Sequence, residues 1–354
     1  MSAISERFLF ASAPDSCGVL DYPGPSWEQS YEKMLDEMAE AGYTGSELGP
    51  YGFFPTDPKI LQPQLEKRKL KLLASFVPVK MTDPAASQAV MERIRKVGNL
   101  LATLKAPFLV IADDQSPERN AFSGRARDKD CPTLSAEQWK HIGKIVADAE
   151  KVAIEFGLDL VFHPHVATYV ETPEECERFY DATSHTNVGL CLDTGHCVYG
   201  YGDSVKEAEK YKGKLRFVHI KDCNTQVLEE ARRNKWIFED AIEHKVFTVI
   251  GQGNIDFPAF FRTLVKNGYS GWSVVEQDVK FGATPIPPAQ NVAASLKYLR
   301  GVVNDLGVAA GAHQERFRRT SASGAKAPVS GRSGRRGRSP ALPGSVFMDK
   351  FPKS

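Results

Sequence analysis

The chain has 354 residues, 42% of them hydrophobic and 25% charged, which is ordinary globular composition with length enough for a large core. The net charge of +1 is unevenly spread: residues 311–354 hold 10 Lys+Arg against 2 Asp+Glu, which leaves 35 against 42 in residues 1–310. A mildly acidic body argues against a barrel that grips nucleic-acid phosphates, and no apolar run approaches the roughly 20 residues of a membrane span.

Six cysteines at positions 17, 131, 176, 191, 197 and 223 form no Cys-x-x-Cys pair and are expected as buried free thiols. The N-terminus does not fit a signal peptide, so the cytoplasm is the expected compartment. Assembly with further copies of the chain is compatible with this composition and is not specified by it.

Strand-like and helix-like segments alternate along the body. Phe8–Ala11 reads as a strand, and a helix is predicted from about Trp27 to Ala41, with Met34, Leu35 and Met38 at helical spacing and Gly42 as its stop. Thr44–Leu48 is predicted as the second strand, Leu70–Phe76 as the third and Phe108–Ile111 as the fourth, with helices over 58–69 and 84–105 between them. A helix over 136–156 ends at Gly157, and the fifth strand follows at Leu158–Phe162. Helices over 173–182 and near 205–211 separate the sixth strand, Val188–Leu192, from the seventh, Leu215–Ile220. Helices over 227–243 and 257–267 precede the eighth strand, Trp272–Val275, and a helix over 289–305 closes the body. Eight strands, each followed by a helix, predict an α/β fold of the (β/α)8 TIM-barrel type over residues 1–310. A doubly wound sheet is disfavoured because no Gly-x-Gly-x-x-Gly follows the first strand. Residues 311–354, rich in Ser, Gly and Arg, are predicted to form a disordered basic tail.

Several apolar runs stop at side chains that can bind metal. Cys191-Leu192 runs into Asp193, Val218 into His219 and Val274-Val275 into Glu276. Parallel barrel strands point their carboxyl ends at one face, so these three groups can converge on one divalent cation. Carboxylate and imidazole without thiolate suit Mn²⁺ or Co²⁺, with Mg²⁺ as a further choice. His163-Pro164-His165 ends the fifth strand, where either histidine can complete the shell. Glu171, six residues beyond His165, is predicted to cap the helix that starts at Pro173, with orienting a site histidine from behind as the alternative. Glu47 and Asp15, at the ends of strands two and one, are candidates to bind substrate hydroxyls. Lys221, two residues past His219, is expected to have a depressed pKa beside a cation, with an ion pair to Asp222 as the plainer role. Gly251-Gln252-Gly253-Asn254 reads as a tight turn, and only weakly as a phosphate cradle.

These motifs, in this order, resemble the xylose-isomerase-like barrel superfamily. The resemblance rests on Ala13-Pro14-Asp15-Ser16, Glu47-Leu48-Gly49-Pro50-Tyr51-Gly52, Phe162-His163-Pro164-His165, Leu192-Asp193-Thr194-Gly195-His196, Val218-His219-Ile220-Lys221-Asp222 and Glu276-Gln277-Asp278. It spans roughly Phe8 to Leu306 and is similar above all to the inosose dehydratase branch. It implies a metal held on strands five to eight, with Asp193, His219 and Glu276 matching three of the usual ligands. His163 falls where that superfamily commonly has a Glu. The implied activity is a metal-dependent lyase that dehydrates a keto-cyclitol or keto-sugar through an enediolate. A histidine of the strand-five pair or Lys221 would take the α proton, and His196 or Lys221 would protonate the departing hydroxyl. A keto-sugar isomerase or epimerase of the same superfamily is the alternative reading. An apurinic endonuclease ranks lower, because the third and fourth strands lack the extra histidines of that group. A sugar-binding barrel without catalysis is disfavoured by the intact ligand set.

The tail has no apolar periodicity with which to pack. Deleting residues 311–354 is therefore expected to leave the melting temperature and the activity near parental values. A loss of several degrees by scanning fluorimetry would show that the tail contributes to the folded state.

Overall fold

A computed structural model describes residues 4–20, 29–280 and 288–323. Its barrel strands are β1 (Phe8–Ser12), β2 (Gly45–Ser46), β3 (the two segments Lys71–Leu72 and Phe76–Val79), β4 (Phe108–Asp113), β5 (Asp159–Phe162), β6 (Gly189–Asp193), β7 (Leu215–Ile220) and β8 (Gly271–Val275). Every neighbouring pair in this sheet is parallel. The first segment of β3 pairs with β2 and the second with β4, so the interrupted third strand closes the sheet on itself. Backbone bonds from Leu48 to Ala74 and from Phe108 to Leu73 carry the closure through the interruption. The protein is thus a (β/α)8 barrel, and residues 1–310 form one compact unit.

Helices α1 (Tyr31–Ala41), α2 (Pro58–Lys67), α3 (Ser87–Thr103), α4 (Ala136–Phe156), α5 (Pro173–Ala182), α6 (Ser204–Lys210), α7 (Phe257–Lys266) and α8 (Pro288–Ser323) follow the eight strands in turn. Their starts are set by local chemistry. Ser135 and Gln138 form a capping box on α4, and Gly157 at φ 69 ends it. Thr172 and Glu175 form the same box on α5, so Thr172, and not Glu171, caps that helix. Two hydrophobic layers result. Ala11, Leu73, Val110, Val161, Cys191, Phe217 and Val274 fill the barrel interior, and a larger cluster lies between strands and helices. All six cysteines are unpaired, and five of them are buried. No helix among the described residues is long and apolar enough to cross a membrane.

Two expectations change. The helix over 227–243 is two helices, Thr225–Asn234 and Phe238–Glu243, because Lys235 turns left-handed at φ 55 and ends the first. The first helix starts at Tyr31, and Trp27 lies outside the described residues. The last helix is bounded by Pro288 and Ser323. Residues 324–354 lie outside the described residues.

After β7 the chain leaves the barrel through a small antiparallel hairpin, Asp222–Cys223 with Phe247–Thr248. Asp222 anchors this excursion. Its Oδ2 accepts the N–H groups of Gly251 (2.8 Å) and Gly253 (2.9 Å), and its Oδ1 those of Cys223 (2.9 Å) and Ile255 (3.2 Å). The glycine-flanked turn thus spends its amides on a carboxylate of its own chain and has none left to cradle a phosphate. Asp222→Ala removes one charged acceptor from four backbone donors. It should cost on the order of 3 kcal/mol, read from the urea midpoint. An unchanged midpoint would show that the turn holds itself.

Candidate active site

The ends of β5 to β8 bring four side chains to one point. His163 follows β5, its N–H held by Ile111 O at 2.9 Å. Asp193 closes β6, in register with His219 on β7, and Glu276 follows β8 with its N–H on Ile220 O at 3.0 Å. All four are buried, and one ligand atom of each lies within 4.8 Å of the others. Asp193 Oδ1 accepts the His196 N–H at 2.8 Å, which caps the short helix Thr194–Tyr199 and leaves Oδ2 facing the cluster. That Oδ2, His163 Nδ1 and His219 Nδ1 are buried without a hydrogen bond. Each such atom costs roughly 1–3 kcal/mol if left unpaired. Asp193 Oδ2 lies 3.7 Å from His163 Nε2, and His219 Nδ1 lies 3.1 Å from Glu276 Oε1; this set of two carboxylates and two imidazoles fits a divalent cation.

Glu47 supports this set from β2. His219 Nε2 donates to its Oε1 at 2.8 Å, and its Nδ1 lies 3.1 Å from Glu276 Oε1. A carboxylate on the far nitrogen of a ligating imidazole fixes its tautomer and ring angle. Glu47 was expected at substrate hydroxyls; it lines the cavity, yet its Oε1 is committed to His219. Burial works against charge on His219, but Cys191, Glu276 and Glu47 outweigh it and hold the imidazole well above its ordinary range.

Lys221 pairs with carboxylates other than Asp222. Its ammonium lies 2.8 Å from Asp278 Oδ1, 3.3 Å from Glu276 Oε2 and 3.5 Å from Asp193 Oδ2. Burial opposes the charge, yet Asp278, Asp193, Glu276 and Asp15 raise Lys221 well above the usual lysine value. The ring of carboxylates dominates these surroundings and keeps the ammonium charged. Asp222, its expected partner, points instead to the turn after the hairpin, as the alternation of consecutive side chains requires. The Lys221 stem fits because position 195 is glycine: a Cβ there would meet Lys221 Cγ at 2.7 Å.

His165 and His196 lie beside this centre, their ring centroids 4.0 Å apart and their planes tilted by 36°. His165 donates from Nδ1 to the Val166 carbonyl at 2.8 Å, which leaves its Nε2 as an acceptor. Burial, then His196 and His163, push His165 well below the ordinary histidine value, so the ring is neutral. Lys221 Nζ sits 3.0 Å from His196 Nε2, and the Val166 N–H sits 3.4 Å from its Nδ1. A neutral ring accepts only one of these donors. The shorter, charge-assisted contact wins, so His196 steadies Lys221. Burial, followed by Lys221, lowers His196 as well.

Asp15, on the turn after β1, lines the same cavity, and its Oδ1 accepts the Ser16 N–H at 2.7 Å. Burial and then Glu276 raise it well above the carboxylate range, so it can offer a proton to a bound oxygen. The cavity over these groups measures about 880 Å³. Asp113, Asp114, Glu239 and Asp278, which also line it, escaped sequence reasoning. Asp278 holds Lys221 and stands two residues from Glu276, the one signal that could have found it. Asp113 ends β4, and burial pushes it up to about 7.

A catalytic-type barrel mouth and a buried cation cluster define the class, and the comparisons place the chain within it. A model of the xylose isomerase-like TIM barrel matches residues 35–302, and the chain belongs to that family. It is 32% identical to the inosose dehydratase of Bacillus velezensis (strain DSM 23117 / BGSC 10A6 / LMG 26770 / FZB42) over 279 residues, covering 77% of this chain and 90% of that one. It is 34% identical to the rhizopine catabolism protein MocC of Rhizobium meliloti over 258 residues, covering 73% and 78%. Among solved structures it resembles the IOLI protein with a bound zinc atom, with a TM-score of 0.64, 17% identity and coverage of 84% and 98%. A D-allulose 3-epimerase from Methylomonas sp. in complex with D-allulose matches with a TM-score of 0.62, 17% identity and coverage of 84% and 97%.

Asp193→Ala and Glu276→Ala should each abolish Mn²⁺ binding in titration calorimetry while the circular dichroism spectrum stays parental, since both carboxylates lie at strand ends beyond the packed interior. Parental Mn²⁺ affinity in either variant would break the four-residue cluster.

Proposed function

We propose that the chain is a metal-dependent lyase that removes water from a keto-cyclitol or keto-sugar, with Mn²⁺ or Co²⁺ as the cation. The observation that carries this reading is the pairing of a neutral imidazole with a buried ammonium on one cavity wall. His165 presents a lone pair at Nε2, and Lys221 presents protons a few ångströms from the cation cluster. Elimination needs one such base and one such acid. Two-base epimerisation needs two opposed carboxylates, and strand five presents His163 in place of one. The inosose dehydratases among its sequence relatives support the same reading.

A divalent cation held by His163, Asp193, His219 and Glu276 would polarise the substrate carbonyl and take up charge of the carboxylates that raise Lys221. The chain's own residues do the proton work. His165 Nε2 takes the proton from the carbon beside the carbonyl, and the C–H electron pair becomes the new double bond. The C–O bond of the β-hydroxyl breaks, its oxygen takes a proton from Lys221 Nζ, and water leaves. Asp278 and His196 hold the ammonium in place, and Glu47 holds His219. Asp15 donates to a substrate oxygen. Phe76, 5.5 Å from both His163 and His165, forms an apolar wall that keeps the base desolvated.

The test is an anaerobic incubation of the Mn²⁺-loaded protein with keto-inositols and keto-hexoses, followed by mass spectrometry for loss of water. Exchange of the α proton with deuterium but no loss of water would favour the epimerase reading. His165→Ala should lower the dehydration rate by about 10²–10⁴-fold with Mn²⁺ affinity unchanged, which separates base from ligand. His163→Ala should instead lose Mn²⁺ affinity.

A further inference from the structure

We propose that Glu171 is a positioning residue for His165, acting through the peptide bond between Val166 and Ala167. The role rests on the reading of His165 as the base. Glu171 is buried, 4% exposed, and lies outside the cation cluster. Its Oε2 accepts the Ala167 N–H at 2.8 Å, and its Oε1 accepts the Gly124 N–H at 2.9 Å. The Ala167 N–H and the Val166 carbonyl are two ends of one peptide unit. That carbonyl is the acceptor for His165 Nδ1–H at 2.8 Å. Carboxylate, peptide and imidazole therefore form one hydrogen-bonded chain, in which each link polarises the next. The chain keeps the proton on Nδ1 and the lone pair on Nε2, toward the cavity.

The backbone at this place needs an external hold. Ala167 sits at φ 64, in the left-handed region that an alanine enters only under constraint. Gly124, the other residue held by Glu171, sits at φ 67, and a Cβ there would meet Tyr199 at 2.7 Å. The carboxylate thus ties together two left-handed turns, one from the loop after β4 and one from the loop after β5. The neighbouring cation Arg119 is directed elsewhere, its two terminal nitrogens 2.8 Å and 3.1 Å from the oxygens of Glu175. Thr168 Oγ1 on the His165 carbonyl at 2.7 Å and Val170 O on the His165 N–H at 3.0 Å complete the turn.

Glu171→Gln keeps the shape but turns an N–H₂ group toward one of the two backbone donors. The decisive readout is the side-chain ¹H–¹⁵N spectrum of His165 in the Mg²⁺-loaded protein. It is taken at about pH 8, above the value of about 7 to which burial pushes the Glu171 carboxyl. The parental protein should show the Nδ1–H tautomer of His165, and Glu171→Gln a mixture of tautomers. In turnover, Glu171→Gln should lower kcat by about 10–100-fold with KM and Mn²⁺ affinity within a factor of about two. Glu171→Asp, which keeps the charge, should recover part of the rate. If Glu171→Gln folds poorly, the added change Ala167→Gly relieves the left-handed residue and allows the same spectrum to be recorded. An unchanged His165 tautomer in Glu171→Gln overturns the proposal, as does a loss confined to melting temperature. Parental dehydration by His165→Ala would sink the base reading instead, and the spectrum alone would then judge the link from Glu171 to His165.

Discussion

The structure depends on how much negative charge the barrel mouth buries around one lysine. Asp193, Glu276 and Asp278 all approach the Lys221 ammonium within 3.5 Å, and each is almost fully buried. Like charges at such spacing in a low-dielectric site repel strongly, and one ammonium cannot offset them all. The surroundings respond in a consistent direction. Lys221 and His219 are driven toward their charged forms, and Asp15 toward its neutral one. A divalent cation at the four-residue cluster relieves the same imbalance, so the fit of the ligand set and the electrostatics of the whole mouth are one argument.

The division of labour among the histidines follows from what each ring can do with its second nitrogen. His219 has a carboxylate, Glu47, on Nε2 and turns Nδ1 toward Glu276 in the cluster, which suits a ligand once a cation displaces the Nδ1 proton. His165 has a peptide carbonyl on Nδ1 and a bare Nε2, and its surroundings keep it neutral, which suits a base. His196 faces a backbone N–H and a lysine, and serves the lysine. Four imidazoles close together at the end of one barrel thus take different roles through single hydrogen bonds that the strand ends set.

The eight strands were legible because each is a short apolar run between turn signals, and Asp193, His219 and Glu276 were legible because each ends such a run. What escaped the sequence depends on partners far along the chain. Asp222 follows Lys221 by one residue, yet it serves a turn some 30 residues on, and nothing local distinguishes the two. The carboxylates that surround Lys221 were not legible beside it, because Asp278 and Glu276 arrive from a different strand. His163 and His165 could not be told apart by spacing. The separation comes from the Val166 carbonyl, a backbone group that no side-chain pattern encodes.

At position 163 an imidazole stands where the resemblance to the superfamily implies a carboxylate, and that replacement has an electrostatic consequence. A carboxylate there would give the cluster three negative charges, and the imidazole leaves two, from Asp193 and Glu276. A divalent cation then brings the ligand set to neutrality rather than to a residual negative charge. Asp278 and Lys221 cancel one another beside it. A neutral centre tolerates negative charge developing on a bound carbonyl better than an anionic one does, because the repulsion between them is removed. The same replacement deletes a carboxylate that could have returned a proton to the opposite face of the substrate carbon. Stabilising the charge that proton removal creates, while lacking a second base to reverse it, leaves loss of the β-hydroxyl as the productive exit. That is how a barrel built like its epimerase neighbours can be directed to elimination without a change in its strands.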